Sequence, residues 1–180
     1  MVLGLTTSAP VVLEFVLCRT PRAVSLMVLV ILGFGACGRR EAVMNQSELN
    51  DFATRYAAAW SGRDPEDLAS FYAENGSLTV NAGAPSFGRA AIAATAKEYM
   101  TAFPDMVVKM DSVSLGPGSQ ATFHWTWTGT NTGPGGTGMP VHMKGYEEWT
   151  IGADGLIVES KGHFDEAEYQ RQLNGVAGGG

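Results

Sequence analysis

Between Thr122 and Asn131 apolar and polar side chains alternate. Phe123, Trp125 and Trp127 share one parity, with Asn131 in phase, and Thr122, His124, Thr126 and Thr128 share the other. Successive strand side chains point to opposite faces, so the run predicts a half-buried strand with two indoles on its inner face. The pattern repeats after a Gly-rich turn: Met139, Val141, Met143, Trp149 and Ile151 fall on one side, and His142, Lys144, Tyr146, Glu148 and Thr150 on the other. Glu147 breaks the rule by standing on the apolar side. A carboxylate there is costly unless hydrogen-bonded or protonated. It reads either as a functional acid or as a strand-edge or bulged Glu turned to water.

Upstream the period changes to that of helices. After a capping Ser47, the residues Leu49, Phe52, Ala53, Tyr56 and Trp60 form one stripe, with Asp51 and Arg55 opposite, and Gly62 ends the segment. Asp64-Pro65-Glu66-Asp67 starts a second helix by its acceptor cap, first-turn proline and acids; Leu68, Phe71 and Tyr72 make its buried face and Asn75-Gly76 its stop. Ser77 to Ala82 reads as a short strand with Leu78 and Val80 on one face. A third helix follows Gly88, carries Ile92, Ala96, Tyr99, Met100 and Phe103, and ends at Pro104. Met106 to Leu115 alternates as a strand, and Gly116 to Gly118 turns into the Trp-bearing one. Thr132 to Gly138 is either a tight irregular loop or a mobile lid. Ala153-Asp154-Gly155 makes a hairpin turn, Leu156, Val158 and Ser160 line one face of a last strand, and Asp165 to Leu173 closes the chain as a helix. This order predicts an α+β single domain: a curved antiparallel sheet wrapped around three N-terminal helices and enclosing an apolar pocket. The inner aromatics read equally as plain core or as pocket wall.

Composition narrows the partners. The net charge of -6 argues against nucleic acid, which needs clustered Lys and Arg. No Walker-type loop, GxGxxG, CxxC or HExxH spacing is present, so neither a cofactor nor a metal is expected. At the N-terminus, Arg19 and Arg22 precede the apolar run Ala23 to Ala36, the layout of a secretory signal too short for a typical membrane span. The run closes with Phe34-Gly-Ala-Cys37, which resembles a bacterial lipobox and implies lipidation at Cys37. The expectation is therefore an exported, membrane-anchored envelope lipoprotein, touching the membrane only through that lipid. Residues 1–37 are the targeting segment, 38–46 a linker, 47–174 the domain and 175–180 a flexible Gly-rich tail.

The segments Ala59-Trp-Ser-Gly-Arg-Asp64, Ala102-Phe-Pro-Asp105, Gly129-Thr-Asn-Thr-Gly133, Asp154-Gly-Leu-Ile157 with Glu159, and Asp165 with Gln172-Leu173 resemble, in order and spacing, the cone-shaped nuclear-transport-factor-two-like superfamily. Within it they resemble the SnoaL-like polyketide cyclase group. The resemblance places Glu147 where the cyclases carry a His and Gly162 where they carry a catalytic Asp. Arg55-Tyr-Ala-Ala-Ala-Trp60 is similar to the first helix of ketosteroid isomerases of the same superfamily. There Tyr56 falls on the oxyanion-hole tyrosine, Glu147 on the protonated acid, and the base position near Val80 or Asn81. In those isomerases the tyrosine and the neutral acid both donate to the developing oxyanion.

These readings imply a cofactor-free cyclase, isomerase or lyase acting on a small apolar carbonyl compound. Glu147, Tyr56 and Asn131 are the expected catalytic residues, and Trp60, Tyr72, Phe123, Trp125, Trp127 and Trp149 the expected substrate-binding wall. A non-catalytic apolar-ligand carrier or scaffold is the alternative. The resemblance also implies a homodimer through the outer sheet face, at His124, Thr126 and Thr128.

Overall fold

Helix α1 (Gln46–Gly62) is set by its first residues. The Asn45 side chain accepts from the N–H groups of Ser47 and Glu48, at 2.9 and 3.0 Å, while Glu48 Oε2 accepts from the Asn45 N–H at 2.9 Å. This reciprocal capping box begins two residues before the expected Ser47 cap, because Asn45 is the residue with a Glu three positions on. Arg63, in the left-handed region at φ 64, ends the helix after Gly62. The computed structural model describes residues 44–175. The expected leader 1–37 with Cys37, residues 38–43 of the expected linker and 176–180 of the expected tail lie outside them.

Asp64 caps α2 (Pro65–Ser70) by accepting from Glu66 and Asp67 N–H at 3.0 and 3.3 Å. The helix is shorter than the apolar pattern suggests. Tyr72 already belongs to strand β1 (Tyr72–Val80), and Asn75-Gly76 falls in an irregular stretch of that strand rather than at a helix end. Gly76 is required there because a Cβ would meet the Ile157 carbonyl oxygen at 2.8 Å. A two-residue strand, β2 (Ser86–Phe87), too short to leave a period, precedes α3 (Gly88–Ala102). Then come β3 (Val107–Leu115), β4 (Gln120–Thr130), β5 (Pro140–Ile151), β6 (Ile157–Phe164) and α4 (Glu166–Leu173), the last capped by Asp165 on the Glu168 N–H at 2.9 Å.

The strands form one open sheet in the order β2-β1-β6-β5-β4-β3. The expected antiparallel sheet is corrected at one seam: β1 and β6 run parallel, with Leu78 opposite Ser160 and Val80 opposite Gly162. Alternation along a strand carries no information on direction, so this pairing leaves no sequence signal. A second correction concerns β6. Thr150 pairs with Glu159 but Ile151 with Ile157, so an extra residue bulges out of β6. Ile157 is therefore fully buried and Val158 is 38% exposed, which reverses the expected inward face at Val158.

The core lies between the sheet and α1–α3. Phe123 and Trp149 stack at 4.8 Å, and Tyr56 meets their rings edge-on at 5.5 and 5.0 Å. Both ends of α1 are tied to the edge strand β3: Gln46 donates to the Val113 carbonyl at 2.9 Å and Ser61 Oγ accepts from Val108 N–H at 2.9 Å. The helix is thereby fixed across the sheet, which determines where Tyr56 points.

Candidate active site

Glu147 sits mid-strand on β5, with Phe123 of β4 on one flank and Gly162 of β6 on the other. It is 6% exposed. Its Oε2 accepts three hydrogen bonds: from Tyr56 Oη at 2.9 Å, Trp149 Nε1 at 2.9 Å and Ser160 Oγ at 2.6 Å. The Tyr56 hydroxyl in turn lies 2.8 Å from that of Tyr72. Tyr56, Tyr72 and Ser160 are fully buried. Among the described residues no protein donor reaches the other oxygen, Oε1, and Glu147 lines a cavity. One carboxylate oxygen is thus held by three donors, and the other has no protein donor.

Two opposing effects set the charge of this group. Burial pushes the Glu147 carboxyl above its ordinary range, while the donors Ser160, Trp149 and Tyr56 pull it down; burial wins. Burial first, and the Glu147 charge next, hold both the Tyr56 and Tyr72 phenols well above their ordinary range, so both stay protonated as donors.

The cavity measures about 70 Å³, less than the roughly 150 Å³ that holds a benzene ring, and so has room for a few waters or a small organic group. Its wall is apolar apart from Glu147. Trp60, Tyr99, Trp125 and Trp127 supply its aromatic surface, and Val80 and Gly162 lie on the sheet side. Trp125 reaches its place because its cross-strand partner is Gly145: a Cβ there would stand 2.4 Å from the indole and 2.4 Å from the His163 carbonyl oxygen. Trp125 and Trp127 are 8% and 4% exposed, and neither indole Nε1 has a hydrogen-bond partner. Among the described residues no group of three or more His, Cys, Asp or Glu is arranged to hold a metal ion.

Several expected site residues stand elsewhere. Of the expected wall, Trp60, Trp125 and Trp127 line the cavity, whereas Tyr72, Phe123 and Trp149 are packed behind Glu147. Tyr56 does not line the cavity either; its hydroxyl is spent on Glu147 and Tyr72. Asn131 does not line the cavity; it organises the 132–138 loop, where its Oδ1 accepts from Thr137 N–H at 2.7 Å and its Nδ2 donates to the Ala102 carbonyl at 3.2 Å. That loop is the tight alternative of the two. Ser160 is the residue that sequence reasoning undervalues. It stands on an expected inward face, and a lone hydroxyl among apolar neighbours is the available signal.

The SnoaL-like domain profile matches residues 53–160, more than half of the sequence. The chain belongs to the SnoaL-like domain family. Among solved structures, a candidate SnoaL-like polyketide cyclase from Jannaschia sp. CCS1 shares 16% identity over 73% of this chain and 95% of its own, with a TM-score of 0.64. A ketosteroid isomerase-like protein from Catenulispora acidiphila, solved with trimethylamine, shares 19% identity over 69% of this chain and 92% of its own, TM-score 0.62. SalBIII, an epoxide hydrolase/cyclase-like enzyme of pyran ring formation in salinomycin, shares 16% identity over 69% and 96%, TM-score 0.60. At such identities these structures establish a shared fold. The chain matches no curated protein sequence.

This SnoaL-like domain is a small-molecule pocket protein. Gly162, at the resemblance's acid position, faces the cavity beside Glu147, with 3.6 Å between its would-be Cβ and Glu147 Cγ. Val80, near the base position, lines the cavity wall. Asn81, in the left-handed region at φ 48, is a strap: its Oδ1 accepts from Phe164 N–H at 2.9 Å and its Nδ2 donates to Glu166 at 3.2 Å. Neither Val80 nor Asn81 can take a proton from a ligand.

Proposed function

We propose that this SnoaL-like chain is a cofactor-independent acid–base enzyme acting on a small apolar carbonyl compound, with Glu147 as the group that moves the proton. The observation that carries the proposal is one buried carboxylate in the lining of an otherwise apolar cavity, with its Oε2 fixed by Tyr56, Trp149 and Ser160 and its Oε1 without a protein donor. Glu147 Oε1 takes a proton from a carbon next to the carbonyl. The C–H electron pair becomes the new C=C bond and the carbonyl π pair moves to oxygen, giving an enolate. In a β,γ-unsaturated ketone the enolate is conjugated with the C=C bond, and return of the proton at the γ-carbon isomerises the substrate; where a second carbonyl is present, attack of the enolate carbon on it closes a ring and leaves an alkoxide that takes the proton back from Glu147. A second base at Val80 or Asn81 is then unnecessary, because the same carboxylate removes and returns the proton. Tyr56, Trp149 and Ser160 are positioning residues that act through Glu147.

The test is hydrogen–deuterium exchange at the α-carbons of a size series of small ketones in D₂O, acyclic to single-ring, followed by NMR. The wild-type chain should speed exchange above buffer, and Glu147→Gln should lower that acceleration by about 10²–10⁴-fold, the usual worth of a positioned acid–base group. Equal rates for the two proteins would refute the proposal.

A second reading has its own support. Aromatic walls around one carboxylate also suit a small ammonium ion, and the Catenulispora acidiphila structure of this fold was solved with trimethylamine. A carrier of that kind, exported on a lipidated Cys37 and paired through the exposed face at His124 and Tyr146, fits the leader-like N-terminus. Calorimetric binding of trimethylammonium that vanishes in Glu147→Gln would favour it. Mass spectrometry of the mature N-terminus and light scattering test the anchor and the pairing.

A further inference from the structure

Large aromatic rings make much of the cavity wall, yet the space they enclose is too small for a ring-sized ligand. The rings are held close by a residue that is not itself in the wall. Tyr169 of α4 does not line the cavity. Its ring meets two rings that do, Trp127 at 5.8 Å and Phe164 at 5.6 Å, and also Phe103 at 6.4 Å. Phe103 meets Trp127 edge-on at 4.8 Å, and Phe164 meets Trp125, a third wall ring, at 6.4 Å. Tyr169 thus backs the wall at two points. Rings packed at the density of a protein interior move apart only if the group behind them gives way.

Helix α4 is built to give way. None of its eight residues is buried, whereas α1 buries Leu49, Phe52 and Tyr56 among others. Its ends carry exposed polar ties. At the start, Asn81 Nδ2 donates to Glu166 at 3.2 Å. At the end, the Gln172 amide clasps the His142 backbone, accepting from its N–H at 2.6 Å and donating to its carbonyl at 3.1 Å. Few buried apolar contacts and solvent-exposed hydrogen bonds mark a segment that opens locally at low free energy. Phe164 is only half-buried, so the wall that Tyr169 backs includes the solvent side of the cavity.

We propose that Tyr169 determines the size of ligand this site accepts. With its ring in place the cavity takes ligands of a few atoms, and a ring-sized ligand enters by displacing α4. A ligand that needs the displaced state has its apparent affinity reduced by the fraction of chains in that state, whereas one that fits the closed cavity does not. Removing the ring makes the wider cavity the resting form. The inference concerns fit alone and does not depend on the chemistry of Glu147.

The test uses the full chain and two neutral probes of different size, xenon followed by ¹²⁹Xe NMR and benzene followed by calorimetry. Tyr169→Ala should tighten benzene binding by about tenfold or more while changing xenon binding less than about twofold. Tyr169→Phe, which keeps the ring, should match the wild-type chain for both probes. Unchanged benzene affinity in Tyr169→Ala overturns the inference. Equal gains for both probes, the sign of a general loosening, overturn it too, as does a gain in Tyr169→Phe equal to that in Tyr169→Ala. Should Tyr169→Ala fail to fold, amide exchange in the wild-type chain decides: benzene should speed exchange over Glu166–Leu173 and xenon should not, and equal exchange with the two probes overturns the inference. Neutral probes leave the Glu147 charge out of the measurement, so this result stands apart from the outcome of the ketone exchange test.

Discussion

The Tyr72–Tyr56–Glu147 chain of hydroxyls makes a quantitative prediction, because its two tyrosines can be cut separately with little loss of packing. Tyr56→Phe keeps the ring against Phe123 and Trp149 and removes the hydroxyl that bonds Glu147 Oε2 at 2.9 Å and Tyr72 Oη at 2.8 Å. A hydrogen bond to a charged acceptor contributes about 1.5–3 kcal/mol and a neutral one about 1 kcal/mol, so the loss should be about 3 kcal/mol. Tyr72→Phe removes only the outer link and should cost about 1 kcal/mol. The gap of about 2 kcal/mol is large against a domain stability of about 5–15 kcal/mol. Urea unfolding at neutral pH, followed by Trp fluorescence, measures it as a shift of midpoint at constant slope. The Tyr56→Phe cost should also shrink as pH falls and Glu147 takes up its proton, since the acceptor is then neutral. Costs within about 0.5 kcal/mol of each other, or in reverse order, would refute the view that Tyr56 is bound to a charged Glu147.

Three further outcomes follow from the same geometry. Burial raises the Glu147 carboxyl, so its folded-state preference for the proton stabilises the fold below the ordinary carboxylate range, and that stability is lost as pH rises through the raised value. Glu147→Gln should flatten this falling limb in thermal melts taken from about pH 4 upward, because the amide has no proton to lose. Gly145→Ala should lower the melting temperature and weaken ligand binding, because the new Cβ meets backbone and indole at 2.4 Å, whereas Gly162→Ala, at 3.6 Å from its neighbours, should fold normally. Asn131→Ala should loosen residues 132–138, seen as faster amide exchange and a cost of about 1–2 kcal/mol, yet leave ligand affinity unchanged, since Asn131 does not line the cavity.

Strand alternation alone makes Glu147 conspicuous, and helical spacing alone puts Tyr56 on the buried stripe. What alternation cannot convey is which inner-face aromatics meet the ligand. Trp125, Trp127 and Trp149 are equivalent by parity, but Trp149 lies under α1, where it stacks on Phe123 and bonds Glu147, while the other two line the cavity. The separation is made by where α1 crosses the sheet, a tertiary fact. Asn131 misleads for a related reason: it is in phase with Phe123, but one residue past the end of β4 its amide serves the loop backbone instead of the cavity. The end of α2 is hidden because Phe71 and Tyr72 suit a helix face and a strand start alike. Val158 needs knowledge of a bulge, which depends on the partner strand and not on β6 alone.

The parallel seam between β1 and β6 has a bearing on how this molecule comes into being. Leu78 waits for Ser160, so the middle of the sheet cannot close until nearly all of the domain has been synthesised. Glu147 is bound by the same schedule: two of its partner group, Tyr56 and Tyr72, come from the first third of the domain, and two, Trp149 and Ser160, from the last. Distant pairings of this kind make folding slow. A chain halted before Ser160 would hold a buried-type acid, unpaired tyrosines and an open apolar sheet edge, a form suited to capture by chaperones or proteases.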